Sequence, residues 1–290
     1  MKVSGFTFLR NGTILGYPYV ESLKSLLAVC DEVVIAVGNS DDDTLAQVQA
    51  IGDPRLKIIE TTWNENMQDR GYTYAQQKMI AQFNCTGDWA FYLEGDEVIH
   101  EKDYGLIRTT MEKYLNDKEV EALVFDYYHF YGSPMTYAYS PRWYRRAPRI
   151  IRNTVRSWAP DGLFWLIMNE NRRGRYPNAA LVGCHLFHYG HIRSVAKMNE
   201  KQKRVERYWG KTPKEFLGYG DIDPHTIRDF TATHPQVVTG WLANDAEQKL
   251  VVNPDYKLSK RDKKHRWMSK LEKMFNGLEL SKKHYKLIRK

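Results

Sequence analysis

The sequence predicts an α/β protein in which helices cover both faces of a mostly parallel central sheet. Short apolar segments alternate with segments of helical spacing from the N-terminus to about residue 130. Since parallel strands need a long crossover between them, usually a helix, this alternation favours parallel pairing. The predicted strands also end in polar sequences, at positions 10–12, 38–43 and 94–97. Ligands of open α/β sheets bind beyond the carboxyl ends of the strands, so these sequences indicate the expected site.

The first half of the chain supplies the elements of this sheet in order. Strands are expected at KVSGFTFL (2–9), DEVVIAVG (31–38), LKIIET (56–61), DWAFYLE (88–94) and EALVFDYYHFY (121–131). Helices are expected after Pro18, where leucines recur at helical spacing, and at 41–52, 72–85 and 102–115. The second of these helices begins with aspartates suited to capping and ends at a glycine.

The second half of the chain is less regular. Residues 130–165 are rich in Tyr, Pro and Arg and show no clear period. A strand is expected at AALVGCHLFHYGHIR (179–193), which runs into a histidine-rich end, and a long charged helix at 194–210. No repeat or flexible linker separates the two halves, so we expect them to share one globule.

Composition restricts the class of protein. The 290 residues are 42% hydrophobic and 27% charged, as in an ordinary globular protein. No apolar run reaches the roughly 20 residues that a membrane-spanning helix needs, and the N-terminal sequence turns polar too early for a signal peptide. Three widely separated cysteines, Cys30, Cys85 and Cys184, suit a reducing compartment. These features predict a cytoplasmic protein.

Three carboxylates follow the predicted fourth strand within four residues: Glu94, Asp96 and Glu97. Mg²⁺ and Mn²⁺ prefer such oxygen ligands, usually one or two carboxylates together with substrate phosphates. Gly95 between the first two leaves space for a diphosphate to approach. Acidic triplets are also common as solvated turns, and the triplet alone does not decide between these interpretations.

Three segments, in this order, resemble the family 2 glycosyltransferases of the GT-A fold. FLRNG (8–12) is similar to their first nucleotide-contacting loop, and DEVVIAVGNSDDDT (31–44) to their second strand and acidic loop. Residues 71–101 are similar to the helix, strand and acidic metal motif of members that modify lipopolysaccharide cores and related surface glycans. The resemblance covers residues 1–130 and, less closely, HLFHYGHIR (185–193).

The resemblance implies a metal-dependent enzyme that transfers a sugar from a nucleotide-sugar to a hydroxyl group, with inversion. The donor would be of the UDP or GDP type, which the motifs leave open, and the acceptor a glycan or lipid-linked glycan. Residues 1–125 would bind the donor and residues 126–250 the acceptor within the same globule. Residues 251–290 would form a basic helical tail.

The resemblance also assigns roles to individual residues. Asp96 would be the main ligand of Mn²⁺ or Mg²⁺, supported by Glu94, and His188 would complete the set from the second half. The residues implied to contact the donor are Phe8, Arg10, Asn11, Asn39, Asp41, Gln77, Lys78, Gly95 and Arg193. For the helix positions 77 and 78 the alternative is an exposed polar face, and for His188 a packed turn.

Some positions depart from the family pattern, and the roles of others are not decided by the sequence. Glu94 stands where the family usually has Asp, and Gly38 stands where an Asp usually contacts the base, so Asn39 or Asp41 would replace it. Glu97 either faces the cavity or caps the next segment. His100 is expected to be structural.

Transfer also needs a general base for the acceptor hydroxyl. Asp161, in a loop among aromatic residues, and Asp126 are the candidates from the second half. The alternative for Asp161 is a simple turn, since Pro-Asp-Gly favours turns by itself.

Positive charge is concentrated in the tail. Residues 251–290 hold 13 Lys/Arg and 4 Asp/Glu, so the net formal charge of +8 belongs to the tail and the rest is nearly neutral. A helix there would align an apolar stripe composed of Trp267, Met268, Leu271, Met274, Phe275 and Leu278. The stripe would either contact the inner face of an anionic membrane as a peripheral anchor or pack on the protein itself.

Two other functions were weighed against transfer. The tail and the arginines between 142 and 156 could bind nucleic acid, but no known nucleic-acid motif is present and the body is near neutral, so none is expected. A nucleotide-binding protein without catalysis is the other alternative, and the acidic motif argues against it.

Overall fold

The computed structural model describes residues 1–171, 173–276 and 279–288. The helices are α1 (Gly12–Leu15), α2 (Tyr19–Leu27), α3 (Thr44–Gln49), α4 (Tyr72–Phe83), α5 (Tyr104–Lys113), α6 (Val195–Val205), α7 (Thr239–Asn244) and α8 (Lys260–Met274). The strands of the first half are β1 (Val3–Leu9), β2 (Glu32–Gly38), β3 (Leu56–Thr61), β4 (Trp89–Tyr92), β5 (Glu97–Ile99) and β6 (Ala122–Tyr131). The later strands are β7 (Thr136–Ala138), β8 (Arg146–Arg152), β9 (Ser157–Trp158), β10 (Leu166–Met168), β11 (Gly174–Arg175), β12 (Asn178–His191), β13 (Ile227–Asp229) and β14 (Lys286–Leu287).

One large sheet organises the molecule. Strands β3, β2, β1 and β4 lie side by side and parallel, and β8 joins them antiparallel to β4. Strand β6 pairs antiparallel with β8 and parallel with β12, whose other edge pairs antiparallel with β5. The predicted α/β class is confirmed, with parallel pairing in the first half and mixed pairing in the second.

Both faces of the sheet are buried under helices. In β2, Val33 and Ile35 pack with leucines of α2, whereas Val34 packs with Ala81 of α4 on the opposite face. Successive strand residues point to opposite faces, so a strand covered on both sides is apolar at nearly every position. This explains why DEVVIAVG reads as a continuous apolar run.

Residues 130–165, which show no clear period in the sequence, contain strands β7 to β9. The most important is β8, because it lies between β4 and β6. Its sequence, RAPRIIR, is untypical of a central strand, because it contains three arginines and a proline. Proline is usually confined to strand edges or bulges. Pro148 lies at the shift in register between β6 and β8, which accommodates it.

The predicted boundary at residues 125 and 126 falls inside β6, so the two halves share a strand. The tail contains the helix α8, which begins with a capping box formed by Ser259 and Asp262. Ion pairs of Arg266 with Asp223 and of Glu272 with Arg145 attach this helix to the body. Among the described residues, no helix is long and apolar enough to cross a membrane.

Candidate active site

The acidic motif follows the fourth strand, as the resemblance implied, and lies in the wall of a cavity of about 330 Å³. This volume is in the range of small-molecule sites. The cavity lies at the carboxyl ends of β1 and β4, and α6 covers it from the second half. Its aromatic lining consists of Phe8, Tyr17, Trp63, Tyr74, Tyr92 and Trp209.

Glu94, Asp96 and His188 come together in the wall of this cavity. One ligand atom from each lies within 4.8 Å of the others. The distance between Asp96 Oδ1 and His188 Nε2 is 3.6 Å, which is too long for a hydrogen bond. A divalent ion with bonds of about 2.1 Å can bridge two atoms at that separation, so the arrangement fits Mg²⁺ or Mn²⁺.

A second histidine fixes the orientation of His188. The Nε2 atom of His129 lies 2.6 Å from the carbonyl oxygen of Tyr144, and the two Nδ1 atoms lie 2.9 Å apart. Since the carbonyl can only accept, Nε2 of His129 carries the proton and Nδ1 of His129 accepts from Nδ1 of His188. This leaves Nε2 of His188, which faces Asp96, with a free lone pair for a metal.

The buried guanidinium of Arg149, delivered by β8, supports the acidic motif from behind. It donates to Glu94 Oε1 at 2.7 Å and to Glu97 at 2.9 and 2.7 Å. Tyr127 also donates its hydroxyl to Glu97 at 2.9 Å. Glu97 is therefore a fully buried partner of Arg149 and neither faces the cavity nor caps a segment.

The carboxyl groups of the motif differ in their ease of ionisation. Burial raises the pKa of Glu94 to about 7, although Arg149 opposes the shift. Burial also opposes ionisation of Asp96, but electrostatic interactions with His188, Lys201 and Arg193, in that order of size, outweigh it and lower the pKa of Asp96. Asp96 is therefore the more readily ionised oxygen ligand of the set.

Three of the predicted donor residues, Phe8, Arg10 and Gly95, line the cavity. The side chain of Asn11 instead accepts a hydrogen bond from the amide of Asp41 at 2.7 Å and so joins the first two loops. Asp41 itself forms an ion pair with Arg204 of α6. Asn39 is exposed and does not line the cavity.

The helix residues Gln77 and Lys78 are buried, so the alternative of an exposed polar face is wrong for this helix. Gln77 accepts a hydrogen bond from Thr61 at 2.6 Å. The ammonium of Lys78 lies over the rings of Tyr92 and Trp165, at 3.9 and 3.8 Å from their centroids. Neither side chain lines the cavity, so both lie beneath the residues that do.

Arg193 is fully buried and donates to the carbonyl oxygens of Leu15 and Gly190. Its Nη2 lies 3.6 Å from Asp96 Oδ2. It therefore supports the metal motif from within the protein and is not in the lining of the cavity.

The glycine at position 38 is explained by the packing of Trp63. A Cβ atom at Gly38 would lie 2.3 Å from the indole Nε1 of Trp63, so no aspartate fits there. The indole lines the cavity at the end of β2, where the usual aspartate would reach the base.

The two candidate bases lie in different places. Asp161 accepts a hydrogen bond from the amide of Leu163 at 3.0 Å, in the predicted turn, and burial raises its pKa. Gly162 and Leu163, which follow it, line the cavity. Asp126 instead pairs with Arg146 at 2.7 Å and lines a separate cavity.

Lys201, His129 and Arg149 are residues of the site that were not identified from the sequence. Lys201 lines the cavity, where burial lowers its pKa to about 8. His129 and Arg149 lie on β6 and β8. The alternation in the sequence around His129 places it on the same face as Tyr127, and this signal could have indicated it.

The arginines between 142 and 156 do not form a continuous basic surface. Arg149 is buried with Glu94 and Glu97, and Arg152 donates to several backbone carbonyls. These two guanidinium groups are held inside the protein by carboxylates and backbone carbonyls, so they are not available to a phosphate backbone.

No protein-family model matches the chain. Two relatives match it over 96 residues, an uncharacterized glycosyltransferase of Rickettsia conorii, 27% identical, and one of Rickettsia felis, 28% identical. Each match covers 33% of this chain and 29% of the relative, so the chain spans under a third of their length. The chain is thus similar to glycosyltransferases, and the resemblance predicted from its motifs is confirmed.

Solved structures of glycosyltransferases also match parts of the chain. S. aureus TarS 1-349 is 19% identical over 53% of this chain and 47% of that chain, with a TM-score of 0.36. The mannosyltransferase PcManGT of Pyrobaculum calidifontis, in complex with GDP-Man and Mn²⁺, is 22% identical over 42% of this chain and 34% of that chain, with a TM-score of 0.32.

Proposed function

We propose that the chain is a metal-dependent glycosyltransferase that uses a nucleotide-sugar donor of the UDP or GDP type. The observation that supports it best is the convergence of Glu94, Asp96 and His188 in the wall of an aromatic-lined cavity. Two oxygen ligands and one nitrogen ligand leave positions for diphosphate oxygens on Mg²⁺ or Mn²⁺. When bound, such an ion neutralises the charge that develops on a departing diphosphate.

The side chains of the cavity suggest how the donor is held. The rings of Phe8, Trp63 and Tyr74 form a cluster, with centroids 5.3 to 6.2 Å apart, on which a nucleotide base can stack. Lys201 lines the same cavity near the carboxylates, and we assign its ammonium group to the donor phosphates. The aromatic end would therefore hold the base and the charged end the diphosphate.

In the proposed reaction, the bond between the anomeric carbon and the diphosphate oxygen breaks, and its electron pair leaves with the nucleoside diphosphate. The acceptor oxygen bonds to the anomeric carbon from the opposite side, with inversion, and the hydroxyl proton passes to a base. We assign this role to Asp161, because its loop lines the cavity and its raised pKa suits proton uptake. Asp161→Asn should abolish transfer and leave binding of the donor intact.

Thermal unfolding with UDP, GDP, CMP and dTDP, each with and without Mn²⁺ or Mg²⁺, tests the proposal. We expect a nucleotide to raise the unfolding temperature only when the metal is present. Asp96→Asn should remove this effect, because an amide lacks the negative charge with which the carboxylate binds a metal. Asp69→Asn is the matched control, since the Asp69 side chain is 78% exposed.

A shift without metal, or no shift with any nucleotide, would contradict metal-dependent transfer. A larger shift from a short DNA duplex, removed by salt, would instead favour nucleic-acid binding. The panel also identifies the base of the donor.

We further propose that α8 contacts the surface of an anionic membrane, which would suit a lipid-linked glycan acceptor. Trp267, Met274 and Phe275 are 62%, 74% and 57% exposed, whereas Met268 and Leu271 are half-buried; Leu278 lies outside the described residues. Exposed lysines surround this face, at positions 260, 263 and 264. Aromatic residues among lysines match the interface of an anionic bilayer.

A further inference from the structure

A second cavity, of about 850 Å³, lies between the inner face of α8 and the strands β6, β8 and β13. Its lining contains six Lys/Arg side chains but only three Asp/Glu side chains. Three of the cations are neutralised by carboxylates: Arg145 by Glu272, Arg146 by Asp126, and Arg266 by Asp223.

The other three cations are Arg228, Lys270 and Lys273. Within the described part of the chain, none of them has a carboxylate partner. Arg228 lies over the ring of Tyr139, with Cζ 3.4 Å from the centroid, which holds its guanidinium in place. Unneutralised cations that converge on one cavity, one of them a fixed guanidinium, are the arrangement that binds phosphate or carboxylate groups.

Buried polar atoms without partners support a ligand here. Buried nitrogen atoms are ordinarily hydrogen-bonded. Among the residues that the structure describes, neither Nε of Arg145 nor Nδ1 of His265 has a hydrogen-bond partner, and both residues line this cavity. The protein therefore leaves polar groups in the wall of this cavity incompletely hydrogen-bonded.

A third, smaller cavity of about 210 Å³ borders both this basic cavity and the cavity of the metal motif. Glu94 and Leu163 line both the donor cavity and the small cavity, and Arg146 lines both the small and the basic cavity. His284, whose Nε2 is buried without a partner, and Lys282 also line the small cavity. The small cavity therefore lies next to Glu94 of the metal motif on one side and next to the basic cavity on the other.

We propose that the basic cavity binds an anionic substituent of the acceptor, a phosphate or carboxylate group on a sugar, while the reacting hydroxyl occupies the small cavity. This inference rests on the proposed function, because it names the acceptor class of the same site. The cavity recognises negative charge on a sugar, which a neutral glycan lacks.

Binding of glucose, glucose 6-phosphate and glucuronate to the full chain, measured by calorimetry, tests the proposal. We expect both anionic sugars to bind more tightly than glucose, and the tighter of the two identifies phosphate or carboxylate as the recognised group. The variant Arg228→Gln/Lys270→Gln/Lys273→Gln should weaken anionic sugar binding by about ten-fold or more, since each lost contact is a charge-assisted hydrogen bond. Its control is Lys260→Gln/Lys263→Gln/Lys264→Gln, which removes the same charge from the exposed face of α8.

Equal weakening in both triple variants would overturn the proposal, because it would show a general effect of charge. Equal binding of glucose and the anionic sugars would also overturn it. The metal-dependent nucleotide shift, measured on the same variants, reports on the donor site separately. If the unmodified protein shows no such shift, the proposed function is refuted, whereas the binding of anions by the basic cavity is decided by the sugar measurements alone.

Discussion

At the level of single residues, the lone pair that His188 presents to the carboxylates depends on His129. A backbone carbonyl fixes the proton of His129, and His129 fixes the proton of His188. Outer partners of this kind orient metal-binding histidines in many proteins. The metal site therefore extends one residue beyond its ligands, to a buried side chain on β6.

His129→Leu should weaken the binding of Mn²⁺ by about 10- to 100-fold, because Nδ1 of His188 loses its acceptor. His129→Asn should bind more tightly than the leucine variant, since its amide oxygen can accept the same hydrogen bond. The electron paramagnetic resonance signal of free Mn²⁺ measures both affinities without a donor nucleotide. Equal affinity in the two variants would contradict the role of His129.

Glu32 gives a second prediction at this scale. Burial raises its pKa, but hydrogen bonds from Lys57, Ser4 and Thr86 outweigh burial and hold the pKa well below its usual range. A carboxylate whose pKa is lowered by folding stabilises the protein above its unfolded pKa of about 4.3, and this stability is lost as pH falls through the folded value.

Glu32→Gln should therefore lower the free energy of unfolding by about 1 to 2 kcal/mol at neutral pH. The difference from the unmodified protein should shrink as the pH falls from about 4 toward the lower folded pKa, because Glu32 is protonated first in the unfolded chain, which is thereby favoured. Urea unfolding of both proteins at neutral and acid pH measures it. A difference that does not change with pH would show that charge is not the cause.

At the level of elements, α8 reverses the usual distribution of side chains on a surface helix, in which the apolar face packs on the protein and the polar face is exposed. Its inner face is polar, with Asp262, Arg266 and Glu272 in contacts with the body, while Trp267 and Phe275 are exposed. Trp267, Met274 and Phe275 are therefore exposed, whereas Met268 and Leu271 of the same helix are half-buried. An apolar face that stays exposed and is flanked by lysines is suited to an anionic surface.

Trp267→Glu/Phe275→Glu should abolish co-sedimentation with vesicles of phosphatidylglycerol and phosphatidylcholine, because two carboxylates replace the residues that enter the interface. Met135→Glu/Leu217→Glu is the matched control, since these side chains are 58% and 81% exposed elsewhere. Equal loss in the two variants would mean that net charge, and not the face of α8, determines binding.

At the level of the whole molecule, Arg149 joins the two halves of the sheet. It extends from β8 in the second half to Glu94 and Glu97 of the motif in the first. The position of the metal ligands thus depends on correct pairing of β8 between β4 and β6. Folding of the second half is therefore needed to complete the site of the first.

Arg149→Met should lower the free energy of unfolding by about 3 to 5 kcal/mol, because it leaves buried carboxylates without a partner. Adding Glu97→Gln should restore part of the loss, since it removes the charge of the fully buried carboxylate. Urea unfolding of the single and double variants measures this coupling. If the double variant loses as much free energy of unfolding as the two single variants together, the two side chains are energetically independent.

The sequence alone determined the parallel half of the sheet and the place of the acidic motif. Local patterns carry this information: apolar runs of strand length, helical spacing and polar strand ends depend only on nearby residues. They indicated Asp96 after the fourth strand, and alternation along β12 separated His188 from His185. The resemblance to glycosyltransferases rested on the same local segments.

Only the tertiary structure decided which side chains share the site. Lys78 and Gln77 look like donor contacts in sequence but are buried beneath the cavity, whereas Lys201 comes from a charged helix far along the chain. The arginine-rich strand β8 showed no period, because its order is imposed by pairing on both sides. Contacts between distant segments form only in the assembled sheet. No local pattern therefore predicts the small cavity that lies between Glu94 and the basic cavity.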